Sequence, residues 1–544
     1  MLNGSGIDYG QLITDGWTEV VERQRMTAGM YLTQGLRRAS RATPHDTMTV
    51  CGERVRTFAE VADRVARLAG AFRSLGAAAG DRIAMLSLNS DRYSEYLLAT
   101  PWAGAVVNPI NIRWSAAEIA YGLADSDTRI LLIDDTFLPL LPELRSSSTD
   151  LAVAIHCGDG ATPEGTLGYE DLVAAHDPVP DAHRAGSDLA GVFYTGGTSG
   201  HPKGVMLTHD NLMTSALGSL ASGYFLTSGG PLLHAAPMFH LADLAIWLAQ
   251  VIRGGAHAFV PAFRPDWVLE AVQQHRISDL LLVPTMVQML VDEPSLAGYD
   301  TSSLRSVMYG GSPISAALLE RAAQRLPTAS FVQAYGMTEV APVATLLGPA
   351  DHHDPALRTS GGRAAPHSEV RIVGEDDTEL PRGEVGEIVV RGGHVMAGYW
   401  GKPEETAAAL RDGWMHTGDA GYLNERGYLF VVDRLKDMIV SGGENVYSVE
   451  VENALARHPA VATCAVIGVP DERWGERVHA VVVLAAGQQA EHDELRDFCK
   501  SLIGGYKIPR SFEVVEALPT SAAGKVLKRE LRAKYWSGSD RSVG

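Results

Sequence analysis

The clearest periodicity in the chain lies at 58–75, where Phe58, Val61, Val65, Leu68, Phe72 and Leu75 recur at steps of three and four residues. That spacing lays one apolar stripe along a helix. Thr57 and Glu60 stand at capping-box spacing ahead of it, and Gly76 supplies a stop. Strand-like apolar runs follow at 82–88, 129–133, 189–193, 279–283, 306–309 and 331–334. Apolar strands separated by helices predict parallel sheets covered on both faces. Several of these runs lead into small or hydroxyl-bearing residues: T-G-G-T-S-G, G-G-S and Y-G-M-T-E. Ligands sit at the carboxyl ends of parallel strands, so these loops are expected to converge on one site.

After about Glu369 the pattern changes to β-rich, glycine-punctuated segments at 369–373, 387–391 and 428–432. Beyond Arg434 a compact α+β unit is predicted. Ser448 is positioned to cap a helix whose first turn holds Glu450 and Glu452, which suits the helix dipole. Strands at 463–469 and 479–484, a helix near 491–503 and a strand at 512–515 complete the unit. The boundary falls in D-R-L-K-D, Asp433 to Asp437.

Length and composition narrow the class. A chain of 544 residues exceeds one hydrophobic core, so at least two domains are expected. A formal charge of −19 disfavours nucleic acid and anionic lipid as partners, because the overall field repels phosphates. The four cysteines, Cys51, Cys157, Cys464 and Cys499, form no C-x-x-C pair and read as reduced thiols rather than a disulfide frame or zinc site. Residues 1–27 carry Asp8, Asp15, Glu19 and Glu22 and do not read as a signal peptide. The most apolar stretch, 232–251, is interrupted by His234, His240 and Asp243 and is too broken to span a bilayer. The expectation is a cytoplasmic protein with no integral membrane segment.

The chemistry concentrates in a few stretches. Y-T-G-G-T-S-G-H-P-K-G, Tyr194 to Gly204, combines glycines, hydroxyls and one lysine after a strand. Such a loop exposes backbone N–H groups to phosphate, though alone it reads equally well as a surface turn. It is neither a Walker A sequence nor G-x-G-x-x-G. Tyr335-Gly-Met-Thr-Glu339 offers an aromatic face, a hydroxyl and a carboxylate, parts suited to adenine, phosphate and Mg²⁺. The plainer alternative is a strand end with a helix-starting glutamate. Thr417-Gly-Asp419 sets a carboxylate at a tight turn, where it suits ribose hydroxyls or simply water. Pro519 to Lys525 brings a lysine after a turn of small residues.

Together these motifs, with A-P-M-F-H and D-R-L-K-D-M-I-V-S-G-G-E-N-V, resemble the adenylate-forming superfamily of acyl- and aryl-CoA synthetases, firefly luciferase and nonribosomal-peptide adenylation domains. The similarity runs from about Tyr31 to Leu531, with the motifs in family order and at family spacing. The resemblance implies an α/β fold: a large N-terminal domain of parallel sheets flanked by helices with a small β-barrel-like subdomain, and a smaller, mobile α+β C-terminal domain. It implies an N-terminal unit at 1–433, a hinge at 434–436 and a C-terminal unit at 437–544. It further implies a two-step, AMP-forming reaction using ATP, Mg²⁺ and coenzyme A. A carboxylate first takes the adenylyl group and pyrophosphate leaves; a thiol then displaces AMP.

By matching position, Lys525 bridges carboxylate and α-phosphate, Glu339 binds Mg²⁺, and Thr338 touches the α-phosphate. Thr195, Gly196, Gly197, Thr198, Ser199, Gly200 and Lys203 form the phosphate loop, Gly311 belongs to the ATP site, and Tyr335 flanks the adenine. Asp419 and Arg434 hold the ribose, and Lys436 is the hinge. Ser441, Gly442 and Gly443 line the coenzyme A channel. His240 and Gly310 border the acyl pocket; a packed core histidine is the alternative for His240, and Asp243 either meets a polar substrate group or faces water. The loop departs from the common T-S-G-T-T-G form at Gly196 and Ser199, and the helix after Ser448 lacks the proline often found at its start. Medium- or long-chain fatty acids are favoured as substrates, with aromatic acids as a further class. The alternative activity is an acyl-AMP ligase loading a carrier-protein thiol. An oxygenase or an unrelated ATPase fits the motif set less well, and relatives that form homodimers make that assembly an expectation.

Overall fold

The structure, a computed structural model, describes residues 29–148, 150–195, 202–226, 229–434, 437–441, 444–471, 473–500, 502–520 and 526–536. Two large, mostly parallel sheets form the N-terminal domain. The eight-stranded sheet runs Gly398–Tyr399, Lys203–Thr208, Leu189–Thr195, Val106–Pro109, Arg82–Leu86, Ile130–Ile133, Val153–His156, Leu167–Gly168. The nine-stranded sheet has Ser330–Tyr335, Ser306–Gly310, Asp279–Leu282, Leu232–His234 and His257–Phe259 side by side in parallel. The run at 189–193 extends to Thr195 and turns back as an antiparallel hairpin with Lys203–Thr208.

Strand alternation sorts side chains into layers. Ile83, Met85, Leu232, Leu281, Met308 and Val332 face a central core shared by both sheets and the helices between them. Their neighbours divide outward: Ala84 and Leu86 pack under Ile119 and Leu123, while Leu233, Leu280, Val307 and Phe331 pack under Val268, Leu290 and Leu318. Both faces of each sheet are therefore covered, which is why these strands read as continuous apolar runs. The predicted helix is Phe58–Ser74, its capping box is formed, and Phe58, Val61, Val65, Leu68 and Phe72 are fully buried. Each such side chain contributes about 1.5–3 kcal/mol of burial.

A five-stranded antiparallel sheet with Glu369–Val373, Gly386–Arg391, Trp414–Leu423 and Leu429–Arg434 follows. The smaller C-terminal domain is built on Val461–Asp471 and Gly475–Leu484, a long hairpin joined in parallel by Ser511–Val514. Its helices are Ser448–Leu455, His492–Lys500 and Lys528–Ala533. Ser448 does not cap the first of these, contrary to the sequence expectation: the N-cap is Tyr447, with no side-chain cap bond. The reason is a stronger partner. Ser448 donates both its N–H (2.5 Å) and its hydroxyl (2.6 Å) to Asp433 Oδ2, so the hydroxyl is drawn away from the helix N-terminus.

Candidate active site

The carboxyl ends of the parallel strands carry the sequence motifs. Thr195 and Lys203 pair at the mouth of the hairpin, so the glycine-rich loop springs from its open end. Gly196, Gly197, Thr198, Ser199 and Gly200 lie outside the described residues. The hairpin base is pinned from the side: Tyr194 donates to Asp125 Oδ2 at 2.6 Å, and the Trp400 N–H donates to the Gly204 carbonyl at 2.8 Å.

Strand Ser330–Tyr335 delivers the second motif. At Gly336, φ is 159° and an added Cβ would lie 1.9 Å from the Pro342 carbonyl oxygen, so only glycine permits the turn. The chain then winds through Thr338–Val340 and buries Glu339 to 6% exposure. Tyr399 donates to Glu339 Oε1 at 2.9 Å, and its ring lies beneath the Lys203 ammonium, 5.1 Å from the centroid. Burial, reinforced by Glu339, pushes the Tyr399 phenol well above its ordinary range. It is therefore a neutral donor across physiological pH. The sequence reading missed Tyr399; nothing in its short G-Y-W context states a chemical role.

Asp419 and Arg434 are cross-strand partners, with Nε 3.2 Å from Oδ1. Tyr335 donates to the other oxygen, Asp419 Oδ2, at 2.9 Å. Both carboxylate oxygens are thus oriented, each keeping acceptor capacity for an incoming hydroxyl. Tyr335, Asp419 and Arg434, widely separated in sequence, form one contiguous corner. Among the described residues no group of three or more His, Cys, Asp or Glu side chains is placed to hold a metal ion. Glu339 offers a single buried carboxylate. That donor fits Mg²⁺, which commonly takes one or two carboxylates together with substrate phosphates and water.

Three strands from Ser330–Tyr335 in the nine-stranded sheet, residues 235–240 leave the end of Leu232–His234. Asn89 clamps this segment: Nδ2 donates to the carbonyls of His234 (3.3 Å) and Ala236 (2.9 Å), and Oδ1 accepts the Met238 N–H (2.8 Å). Asn89 follows a strand of the other sheet, so it ties the two sheets together at the cleft, a function no local motif announces. His240 occupies the N-cap of helix Leu241–Arg253, partly buried, with its ring 4.7 Å from that of Phe239. Asp243 faces neither water nor the cleft; it is buried and bonds His234 Nδ1 at 2.7 Å, while His234 Nε2 meets His257 Nδ1 at 3.0 Å. This corrects both sequence expectations for Asp243, which arose because its partner lies nine residues earlier on a strand. Gly310 ends its strand where a Cβ would stand 2.4 Å from the Ala334 carbonyl oxygen, and Gly311 turns the chain at φ 81°.

In the C-terminal domain Ser441 is buried at the end of Ile439–Ser441 and pairs with Gly475. Lys436, Gly442, Gly443 and Lys525 lie outside the described residues. Of the described residues on either side of Lys525, Thr520 pairs with Val526 and the Leu527 N–H donates to the Pro519 carbonyl at 2.8 Å. No helix among the described residues is long and apolar enough to cross a membrane.

Comparison with known proteins agrees with this layout. Residues 36–400 match the family model described as AMP-binding enzyme, and 450–525 match the AMP-binding enzyme C-terminal domain. A feruloyl-CoA synthase from an Amycolatopsis species is 42% identical over 92% of this chain and 98% of its own. A fatty acid–[acyl-carrier-protein] ligase from Streptomyces coeruleorubidus is 37% identical over 92% of this chain and 95% of its own. The crystal structure of ATP-bound MatB from Rhodopseudomonas palustris, 30% identical, superposes with a TM-score of 0.84 over 93% of this chain and 99% of that one. The chain therefore belongs to the AMP-binding enzyme family, as an AMP-forming, ATP-dependent ligase of the acyl-CoA synthetase type that works with Mg²⁺ and coenzyme A.

Proposed function

We propose that the enzyme activates a phenylpropenoic acid of the ferulate type and transfers it to coenzyme A. The observation that carries this reading is the 42% identity, across nearly the whole of both chains, to a feruloyl-CoA synthase. The acyl side is compatible with it: the Phe239 and His240 rings pack 4.7 Å apart ahead of helix Leu241–Arg253, and buried Trp247, anchored by donation to Ser94 Oγ at 2.8 Å, stiffens that helix. Such a wall favours a flat, short substrate over a long flexible chain.

The reaction must bring an acid anion against a polyphosphate, so charge neutralisation is its central demand. In this reading Tyr335 flanks the adenine and Asp419 accepts the ribose hydroxyls, with Arg434 holding that carboxylate in place. Thr338 donates to the α-phosphate, Lys203 and the loop after Thr195 take the outer phosphates, and Glu339 supplies the protein's oxygen to Mg²⁺. When bound, the ion lowers the charge the acid meets. The Lys525 ammonium bridges the carboxylate and α-phosphate as the carboxylate oxygen attacks phosphorus and pyrophosphate departs. Rotation of the unit after residue 436 then withdraws Lys525 and brings Ser441 to Gly443 to the cleft, where the coenzyme A thiolate attacks the acyl carbonyl and AMP leaves.

The test is thioester formation from MgATP and coenzyme A across ferulate, cinnamate, benzoate, indoleacetate, octanoate and palmitate. Ferulate or a close relative is expected to give the highest kcat/KM, by at least tenfold over palmitate. The relative named as a carrier-protein ligase supports a second reading. Pyrophosphate release with a fatty acid but no coenzyme A thioester would favour it.

A further inference from the structure

We propose that Tyr399 is a positioning residue that sets two groups of the ATP site at once, orienting the Glu339 carboxylate with its hydroxyl and the Lys203 ammonium with its ring. The proposal rests on the reading that Glu339 and Lys203 face MgATP. Its geometry spans both sheets. Gly398–Tyr399 is the edge strand beside Lys203–Thr208, with Tyr399 opposite Val205, so the ring and Lys203 are carried by adjacent strands. The hydroxyl reaches instead to Glu339, which arrives from the end of the nine-stranded sheet.

The segment leading to Tyr399 supports the same neighbour through its backbone. The Met396 N–H donates to the Glu339 carbonyl at 2.9 Å, and the Ala397 N–H donates to the Met206 carbonyl at 3.0 Å. The Tyr399 N–H is itself taken by Thr406 Oγ1 at 2.9 Å, and the residue is 9% exposed, so the ring has little freedom. A phenol donating to Oε1 fixes the orientation of the carboxylate plane. Partners of this kind behind a metal-binding carboxylate commonly alter ion affinity by about 10–100-fold when removed. The aromatic face beneath Lys203 adds a weaker, separable attraction.

Two substitutions divide the two effects. Tyr399→Phe removes the hydroxyl and keeps the ring; Tyr399→Leu removes both. ATP affinity is measured by calorimetry with MgCl₂ and again with EDTA, which needs no turnover. For Tyr399→Phe, affinity in EDTA is expected to stay within twofold of the wild type, while the gain conferred by Mg²⁺ shrinks by about tenfold. Tyr399→Leu is expected to weaken binding in EDTA as well, by about threefold. On a Glu339→Gln background, Tyr399→Phe should add no further loss, because the hydroxyl acts through that carboxylate. An undiminished Mg²⁺ gain in Tyr399→Phe, or equal losses with and without Mg²⁺, overturns the proposal. A wild-type protein whose ATP affinity ignores Mg²⁺ overturns the underlying assignment of Glu339 instead.

Discussion

The corner proposed for the nucleoside and the wall proposed for the acyl group use polar side chains in opposite ways. In the corner, Tyr335 and Arg434 each bond Asp419, one at each carboxylate oxygen. At the acyl wall, Asn89 is consumed by backbone groups, and Asp243 and His234 bond each other behind the surface. Beside them the Phe239 and His240 rings lie 4.7 Å apart, the aromatic pair that the proposed function sets against the acyl group. The difference follows from the ligands. A nucleotide is recognised by directed hydrogen bonds, whereas an acyl group is recognised by shape, and shape requires rigid backing.

The largest effect that sharpens this contrast comes from Lys525→Ala. Removing the charge that the proposed function assigns between the two reacting anions should lower adenylate formation by about 10²–10³-fold. Thioester formation from a supplied acyl-adenylate should fall far less. Parallel loss in both half-reactions, followed by pyrophosphate release and by acyl-CoA formation, would falsify the assigned role.

The same contrast explains what the sequence could announce. The contacts proposed for the nucleotide come from loops of small and hydroxyl residues, so T-G-G-T-S-G, Y-G-M-T-E and T-G-D stand out along the chain. The apolar strand runs and the helix at Phe58–Ser74 were equally plain, because burial leaves a pattern in one dimension. Asn89 and Tyr399 were not legible. Asn89 lies 145 to 149 residues from its partners, and Tyr399 lies 60 from Glu339, so neither has a local signature. Ser448 misled for a related reason: its position suits a cap, but Asp433, 15 residues earlier, competes for the hydroxyl.

A smaller effect tests the backing of the nucleotide side. His394 lies in the segment that leads to Tyr399; it is fully buried and pushed down to about 3 by that burial, with His367 adding to the shift. The folded state therefore binds this proton less readily than the unfolded chain does. Its contribution is present above about pH 6.5 and is lost as pH falls toward 3. Urea midpoints from pH 7 to 5 should show a loss on the order of 1–2 kcal/mol from this group. His394→Gln should flatten that limb, and an unchanged slope would remove the histidine from the account.

The central claim, that one cleft divides its work between a polar corner and a backed apolar wall, is tested most directly by steady-state pyrophosphate release with ATP and acid varied in turn. Asp419→Ala should raise the KM for ATP by at least tenfold and leave that for the acid within about twofold, given the value of a charged hydrogen bond. Asn89→Ala should do the reverse, raising the KM for the acid while ATP binding holds. Crossed responses of that kind are the predicted result. If both substitutions raise both constants in proportion, the two regions act as one and the division is contradicted.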